Sequence, residues 1–182
     1  GSSNSTADDH INFITSEVEY LEKEPAVFRY AWFMTYSRAY AVNLLDLGEG
    51  NLTELGKVYV HMSSFDSTYY PPCYSRIPAV QYLSANNVKL RESTNDSSQI
   101  MLKDMSNGCR AEYQVSIPKS KTYDITLRMA CKTNTVIEFY EDDVLVETFQ
   151  PDPTGDFTIW SDRVARVPLT AGNHRLKIRS DR

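Results

Sequence analysis

An alternation of apolar and polar residues between positions 111 and 129 constrains the fold most strongly. On both sides of a break at 118–121, every second side chain is apolar, from Tyr113 and Val115 to Ile125 and Leu127. Strands with one buried and one solvated face have this period of two. The pattern predicts two antiparallel strands joined as a hairpin, in which Tyr113 lies opposite Leu127.

The same register places Cys109 opposite Cys131. Directly opposed residues bring their Cβ atoms to roughly 4.5–5.5 Å, whereas a disulfide needs about 3.5–4.5 Å. A slightly strained bridge and two packed thiols are both compatible with this geometry, because free cysteine packs as a small hydrophobe. Cys73 makes the number of cysteines odd, so the chain has no complete disulfide framework.

Further short strands follow the predicted hairpin. Residues 136–140 and 144–149 flank a turn at 141–143, and residues 163–169 and 174–178 flank a turn at 171–173. This succession predicts a mainly β fold, a jelly-roll β-sandwich over residues 77–182.

The N-terminal residues have a different pattern. A helical face over 9–23 begins with acidic residues and ends before Pro25, and Thr53 caps a second helix that ends near Met62. Between them, the aromatic run 26–33 predicts a strand buried on both faces. Helix, strand and helix together form an α/β segment like the end of a TIM-type barrel, which predicts a first domain over 1–70 and a Pro-rich linker over 71–76.

Charge and composition exclude several classes of function. The net charge is −5 without a basic block, which argues against a nucleic-acid partner. No apolar run is long enough for membrane insertion. The histidines and cysteines lack metal-ligand spacing, so no metal site is assigned. The glutamates between positions 17 and 24 form a solvated helix face, and no catalytic residue is assigned.

Several motifs are spread in order over residues 77–178: Glu92-Ser93-Thr94-Asn95-Asp96, Asn107-Gly108, Glu112-Tyr113-Gln114-Val115, residues 121–130, residues 154–160 and residues 167–176. Together they are similar to the family 6 carbohydrate-binding modules, which are jelly-roll sandwiches. The resemblance implies a sugar-binding cleft among loops at one end of the sandwich, where aromatic rings cover the apolar face of a pyranose.

The resemblance also assigns site residues. Trp160 matches the main stacking tryptophan, with a core position as the alternative, and Glu92 matches a polar residue beside the cleft. Arg110 stands where the family has its second aromatic ring, and an arginine can lie flat under a sugar or bond its hydroxyls. Phe157 is predicted to belong to the core.

Two family features have no counterpart in the sequence. The asparagine near the last strand would lie beyond Ile178, so the sandwich is predicted to lack its last strand. The glutamate that helps to hold a structural calcium is missing around residues 79–82. The need for a cofactor therefore remains open.

The N-terminal residues contain three further motifs: residues 27–33, Asn43-Leu44-Leu45-Asp46 and residues 50–59. They are similar to the last strand and helix of family 128-type glycoside hydrolase barrels, which act on β-1,3-glucans. In such a barrel Trp32 would floor a sugar subsite, with a tryptophan packed beneath the rim as the alternative. The catalytic carboxylates of these enzymes come from earlier strands, so this chain alone is expected not to hydrolyse a glycan.

The sequence thus predicts a carbohydrate-binding module that anchors a secreted glycoside hydrolase on a polysaccharide such as β-1,3-glucan, outside the cell or at its surface. One alternative is that the chain is part of a catalytic β-glucan hydrolase. Another is a sandwich used for adhesion or inter-domain packing.

Overall fold

The computed structural model describes residues 5–32, 35, 40–46, 48–62, 67–95, 99–103, 105 and 108–181. These residues form two α-helices, a short 3₁₀ turn at Tyr40–Val42 and the following strands: α1 Ala7–Lys23, α2 Glu54–His61, β1 Ser84–Asn86, β2 Lys89–Glu92, β3 Ile100–Lys103, β4 Cys109–Ile117, β5 Lys121–Met129, β6 Val136–Glu141, β7 Val144–Phe149, β8 Ser161–Leu169 and β9 Gly172–Asp181. Among them, no helix has both the length and the hydrophobicity that crossing a membrane requires.

Both helices begin at residues that cap them. The side chain of Thr6 accepts from the backbone N–H of Asp9 while the Asp9 carboxylate accepts from the N–H of Thr6, which together form a capping box for α1. Thr53 caps α2 by accepting from the N–H of Gly56 at 3.0 Å. The two predicted helices are confirmed.

The strand predicted over 26–33 does not form. Residues 26–32 have no regular secondary structure, and the Phe28 side chain is 88% exposed. A strand needs a neighbour to accept and donate its backbone hydrogen bonds, and no described residue pairs with this segment as a strand. Phe33 lies outside the described residues.

The remaining chain forms a β-sandwich, as predicted. One layer is a five-stranded sheet in the order β1-β4-β9-β6-β7, and the other contains the two-stranded ribbons β2-β3 and β5-β8. All paired strands are antiparallel. The fully buried Phe139 and Val167 lie at the centre of the cluster between β5-β8 and the large sheet.

The turn between β6 and β7 is the one predicted. Asp142 and Asp143 have φ angles of 46° and 73°, which are the positive values that a two-residue hairpin turn of type I′ requires. Aspartate tolerates this conformation better than most residues.

The hairpin predicted for β4 and β5 is wrong. Strand β4 pairs with β1 and β9, while β5 pairs with β8 in the opposite layer. The period of two identifies the buried face of a strand but not its neighbour, and here the chain crosses between the layers at residues 118–120. Cys109 consequently lies opposite Ser180, and its thiol donates to the backbone oxygen of Asn87. Cys109 and Cys131 are both buried, and no disulfide joins them.

The helices and the sandwich share a hydrophobic cluster. Ile11 and Ile14 of α1 and Val58 of α2 pack with Leu90 of β2 and Tyr113 of β4. All of these side chains are less than a tenth exposed. The N-terminal helices therefore cover part of the sandwich instead of standing apart from it.

Candidate functional site

Trp160 lies at the end of the sandwich, immediately before β8. The first residue of β8, Ser161, pairs with Met129 at the end of β5. The loop that carries Trp160 runs over residues 150–160 and joins β7 to β8. Trp160 therefore lies between a paired strand and a loop, so its backbone is fixed on the β8 side.

Thr94 connects Trp160 to the segment that follows β2. Its Oγ1 accepts a hydrogen bond from the indole Nε1 of Trp160 at 2.8 Å and donates to the backbone oxygen of Phe157 at 3.4 Å. One hydroxyl thus contacts two points of the 150–160 loop.

Hydrogen bonds to Cys131 and within the 150–160 loop restrict its conformation further. Thr154 donates its N–H to the Cys131 oxygen at 2.8 Å, and its Oγ1 accepts from the Cys131 N–H at 2.9 Å. The Asp156 carboxylate accepts from the N–H and hydroxyl of Thr158, and these bonds lower the pKa of Asp156. These bonds connect the loop to Cys131 and to its own backbone.

The prediction that Phe157 belongs to the core is wrong. Phe157 and Ile159 are each 56% exposed, while Trp160 is half-buried. A loop residue beyond the strand ends has no opposing sheet to cover it, so its apolar side chain faces solvent. We call Phe157, Ile159 and Trp160, together with Thr94, the loop platform.

Glu92 lies at the end of β2, two residues before Thr94. Its Oε2 lies 3.0 Å from Nζ of Lys57, and the two side chains are 35% and 25% exposed. Lys57 belongs to α2, so this ion pair joins the helical segment to the strand that leads to the platform. No sequence motif marks Lys57 as a site residue, because only the packing of α2 on β2 brings it beside Glu92.

A second ion pair lies beside the platform. Arg128 of β5 is 3.4 Å from the Asp162 carboxylate and donates to the Asn95 side chain at 3.0 Å. The register places Arg128 opposite Asp162. Of the described residues near the platform, Lys57 and Arg128 are thus each matched by a carboxylate.

Arg110 lies on the large sheet, not on the loop platform. Its neighbours Cys109 and Ala111 are fully buried while Arg110 is exposed, so it points away from the core, opposite Asn86 and Arg179. Among the described residues no hydrogen bond or ion pair connects Arg110 with the platform.

Trp32 packs against the helices. Its Nε1 donates to the Val42 oxygen at 3.0 Å, and its ring meets that of His10 edge-on with centroids 6.3 Å apart. It contacts the cluster that α1 and α2 share with the sandwich. Trp32 thus lies among the helical residues and not beside the loop platform, and its place in a sugar subsite stays a prediction.

The described residues do not assemble a metal site. No three His, Cys, Asp or Glu side chains among them converge as ligands would. The described residues therefore contain no group of carboxylates that could hold the calcium implied by the family resemblance.

A β-sandwich that presents aromatic side chains at one end is the arrangement expected of a carbohydrate-binding module. A family model described as carbohydrate binding module (family 6) matches residues 78–182, and the chain belongs to this family. A second model, described as glycosyl hydrolase catalytic core, matches residues 1–59. No match was found among curated proteins.

Solved structures share the fold of the module. A β-1,3-glucan-binding family 6 module from Bacillus halodurans has a TM-score of 0.58 at 18% identity, over 63% of this chain and 88% of that one. A module from Clostridium stercorarium in complex with cellobiose has a TM-score of 0.56 at 22% identity, over 62% and 88%.

A larger enzyme contains the same fold. The family 43 arabinoxylan arabinofuranohydrolase from Bacillus subtilis, in complex with cellotetraose, has a TM-score of 0.58 at 16% identity. The match covers 63% of this chain but only 25% of that enzyme. Here the similarity concerns the fold alone.

Proposed function

We propose that the module binds a neutral β-linked glucan at the loop platform, with β-1,3-glucan as the first candidate. The observation that carries this proposal is that Trp160 and the exposed Phe157 are held by the same hydroxyl, that of Thr94. A pyranose has an apolar C–H face that an aromatic surface can cover without demanding hydrogen bonds.

The charges around the platform favour a neutral ligand. Lys57 is paired with Glu92 and Arg128 with Asp162. Because a carboxylate compensates each positive charge, neither side chain favours an acidic sugar. The carboxylates of Glu92 and Asp162 can accept hydrogen bonds from hydroxyls at the rim, and the Asn95 side-chain amide can accept or donate them. The β-1,3-linkage is supported by the Bacillus halodurans module, described as binding that glucan, and by the resemblance of the N-terminal residues to β-1,3-glucanase barrels.

In the whole protein, the module would anchor a secreted glycan-degrading enzyme on its polysaccharide, outside the cell or at its surface. The match of residues 1–59 to a glycosyl hydrolase catalytic core supports this arrangement. Anchoring raises the local concentration of substrate around a linked catalytic site. A β-glucan hydrolase is accordingly the enzyme that we propose for the parent protein.

Titration calorimetry with laminarin tests the binding proposal, with cello- and xylo-oligosaccharides to compare linkages. By analogy with aromatic stacking elsewhere, Trp160→Ala should cost about 1–3 kcal/mol of binding free energy. Phe28→Ala is the matched control, because Phe28 is an exposed aromatic residue outside the platform. Equal affinity of the Trp160 variant and the wild type would contradict the platform as the site.

A further inference from the structure

Glu92 is held by a residue from outside the sandwich. Lys57 Nζ lies 3.0 Å from Glu92 Oε2, whereas Oε1 has no hydrogen-bond partner among the described residues. The carboxylate therefore has one oxygen engaged by the helix and one available to a hydroxyl. Glu92 and Thr94 are two residues apart, so their Cα atoms lie within about 7 Å of each other.

The backbone of α2 at Lys57 is tightly fixed. Val58, the next residue, is completely buried in the cluster with Leu90 of β2. Gly56, the preceding residue, packs so closely that a Cβ there would lie 2.0 Å from the backbone oxygen of Leu44. The Lys57 side chain consequently extends from a backbone position that is fixed by the packing of its two neighbours.

A second contact fixes the helical segment on β2. The buried guanidinium of Arg91 lies 3.1 Å from the Asp8 carboxylate of α1, and Arg91 also donates to the Leu90 oxygen. Arg91 precedes Glu92 directly. The strand end that carries Glu92 is therefore bound to both helices.

We propose that Lys57 is a positioning residue of the sugar site, so that the site extends from the sandwich onto α2. This inference rests on the function proposed above. A free glutamate side chain samples several rotamers and must be ordered when it binds a ligand. Lys57 restricts those rotamers beforehand and leaves Oε1 directed to a hydroxyl of the glucan.

Calorimetry with laminarin on the full chain tests this role. Lys57→Met should weaken binding about two- to fivefold, as expected for losing a partly exposed ion pair. Lys57→Arg should retain most of the affinity, because it preserves the charge and a donor. Lys23→Met is the matched control, since it breaks a Lys–Glu pair of 2.7 Å within α1.

A double-mutant cycle separates positioning from a structural effect. If Lys57 acts through Glu92, Lys57→Met should change affinity little in a Glu92→Gln background. If Lys57→Met weakens binding by the same factor in the wild type and in Glu92→Gln, Lys57 does not act through Glu92 and the proposal is overturned. This holds whether or not thermal unfolding shows that Lys57→Met is less stable than the wild type. Wild-type affinity of Lys57→Met, with binding lost in Trp160→Ala, would overturn this inference alone. A wild-type chain that binds none of the tested glucans would overturn the proposed function as well.

Discussion

The indole nitrogen of Trp160 donates a hydrogen bond to the hydroxyl of Thr94 over 2.8 Å, although 66 residues separate them in the chain. Thr94 follows β2 and Trp160 precedes β8, so this bond joins the two ribbons of one layer at the end where the loops lie. The same hydroxyl reaches the backbone of Phe157. Thr94 therefore connects the Trp160 side chain to the backbone of Phe157.

Replacing Thr94 by valine should loosen the platform. The substitution keeps the shape of the side chain but removes both hydrogen bonds, so glucan affinity should fall by about 1 kcal/mol. Calorimetry measures the affinity, and tryptophan fluorescence without ligand reports the changed surroundings of Trp160. Thr94→Ser is the control, because it retains the hydroxyl. If the serine and valine variants bind equally well, the hydroxyl has no role in ordering the site.

Gly56→Ala should destabilise the chain by about 1–3 kcal/mol. A Cβ at this position would lie 2.0 Å from the Leu44 backbone oxygen, so α2 would have to move away from the segment before it. Urea unfolding followed by circular dichroism measures the change. Gly48→Ala is the matched control, because a Cβ there meets nothing within 4 Å. Equal stability of the two variants would show that α2 does not pack as described.

The turn end of the sandwich should respond to pH. Burial alone would lower the pKa of His174, but its hydrogen bond to Asp142 and the charges of Glu141 and Asp142 raise that pKa above its usual value of 6.5. Burial alone would raise the pKa of Asp142, but hydrogen bonds from Arg175 and His174 lower that pKa below its usual value of 3.8. The ion pair thus stabilises the fold most between roughly pH 4 and pH 6.5.

The contribution of His174 should be complete at about pH 6 and be lost as the pH rises through its raised pKa. Since Asp142 is half exposed, we expect the effect on the free energy of unfolding to stay below about 1 kcal/mol. Urea unfolding at pH 6 and pH 9 should show a smaller difference for His174→Gln than for the wild type. His61→Gln, at an exposed position, is the control. An unchanged pH dependence in His174→Gln would contradict the pairing.

Local signals in the sequence located both helices and the strands from β4 onward. The capping residues Thr6 and Thr53 and the 3.6-residue period located both helices, because a helix depends on side chains within one or two turns. The period of two located β4, β5 and β6, because alternate side chains face the core. The order of motifs along 77–178 indicated the family, which the match over 78–182 confirms.

Only the tertiary structure decided which elements meet. The alternation in β4 and β5 is the same whether the two strands pair with each other or lie in opposite layers, so it could not reveal that β4 pairs with β9. An aromatic run such as 26–32 becomes a strand only where a neighbouring strand accepts its hydrogen bonds. Lys57 reaches Glu92 because buried contacts between α2 and β2, distant in sequence, bring the two side chains within 3.0 Å.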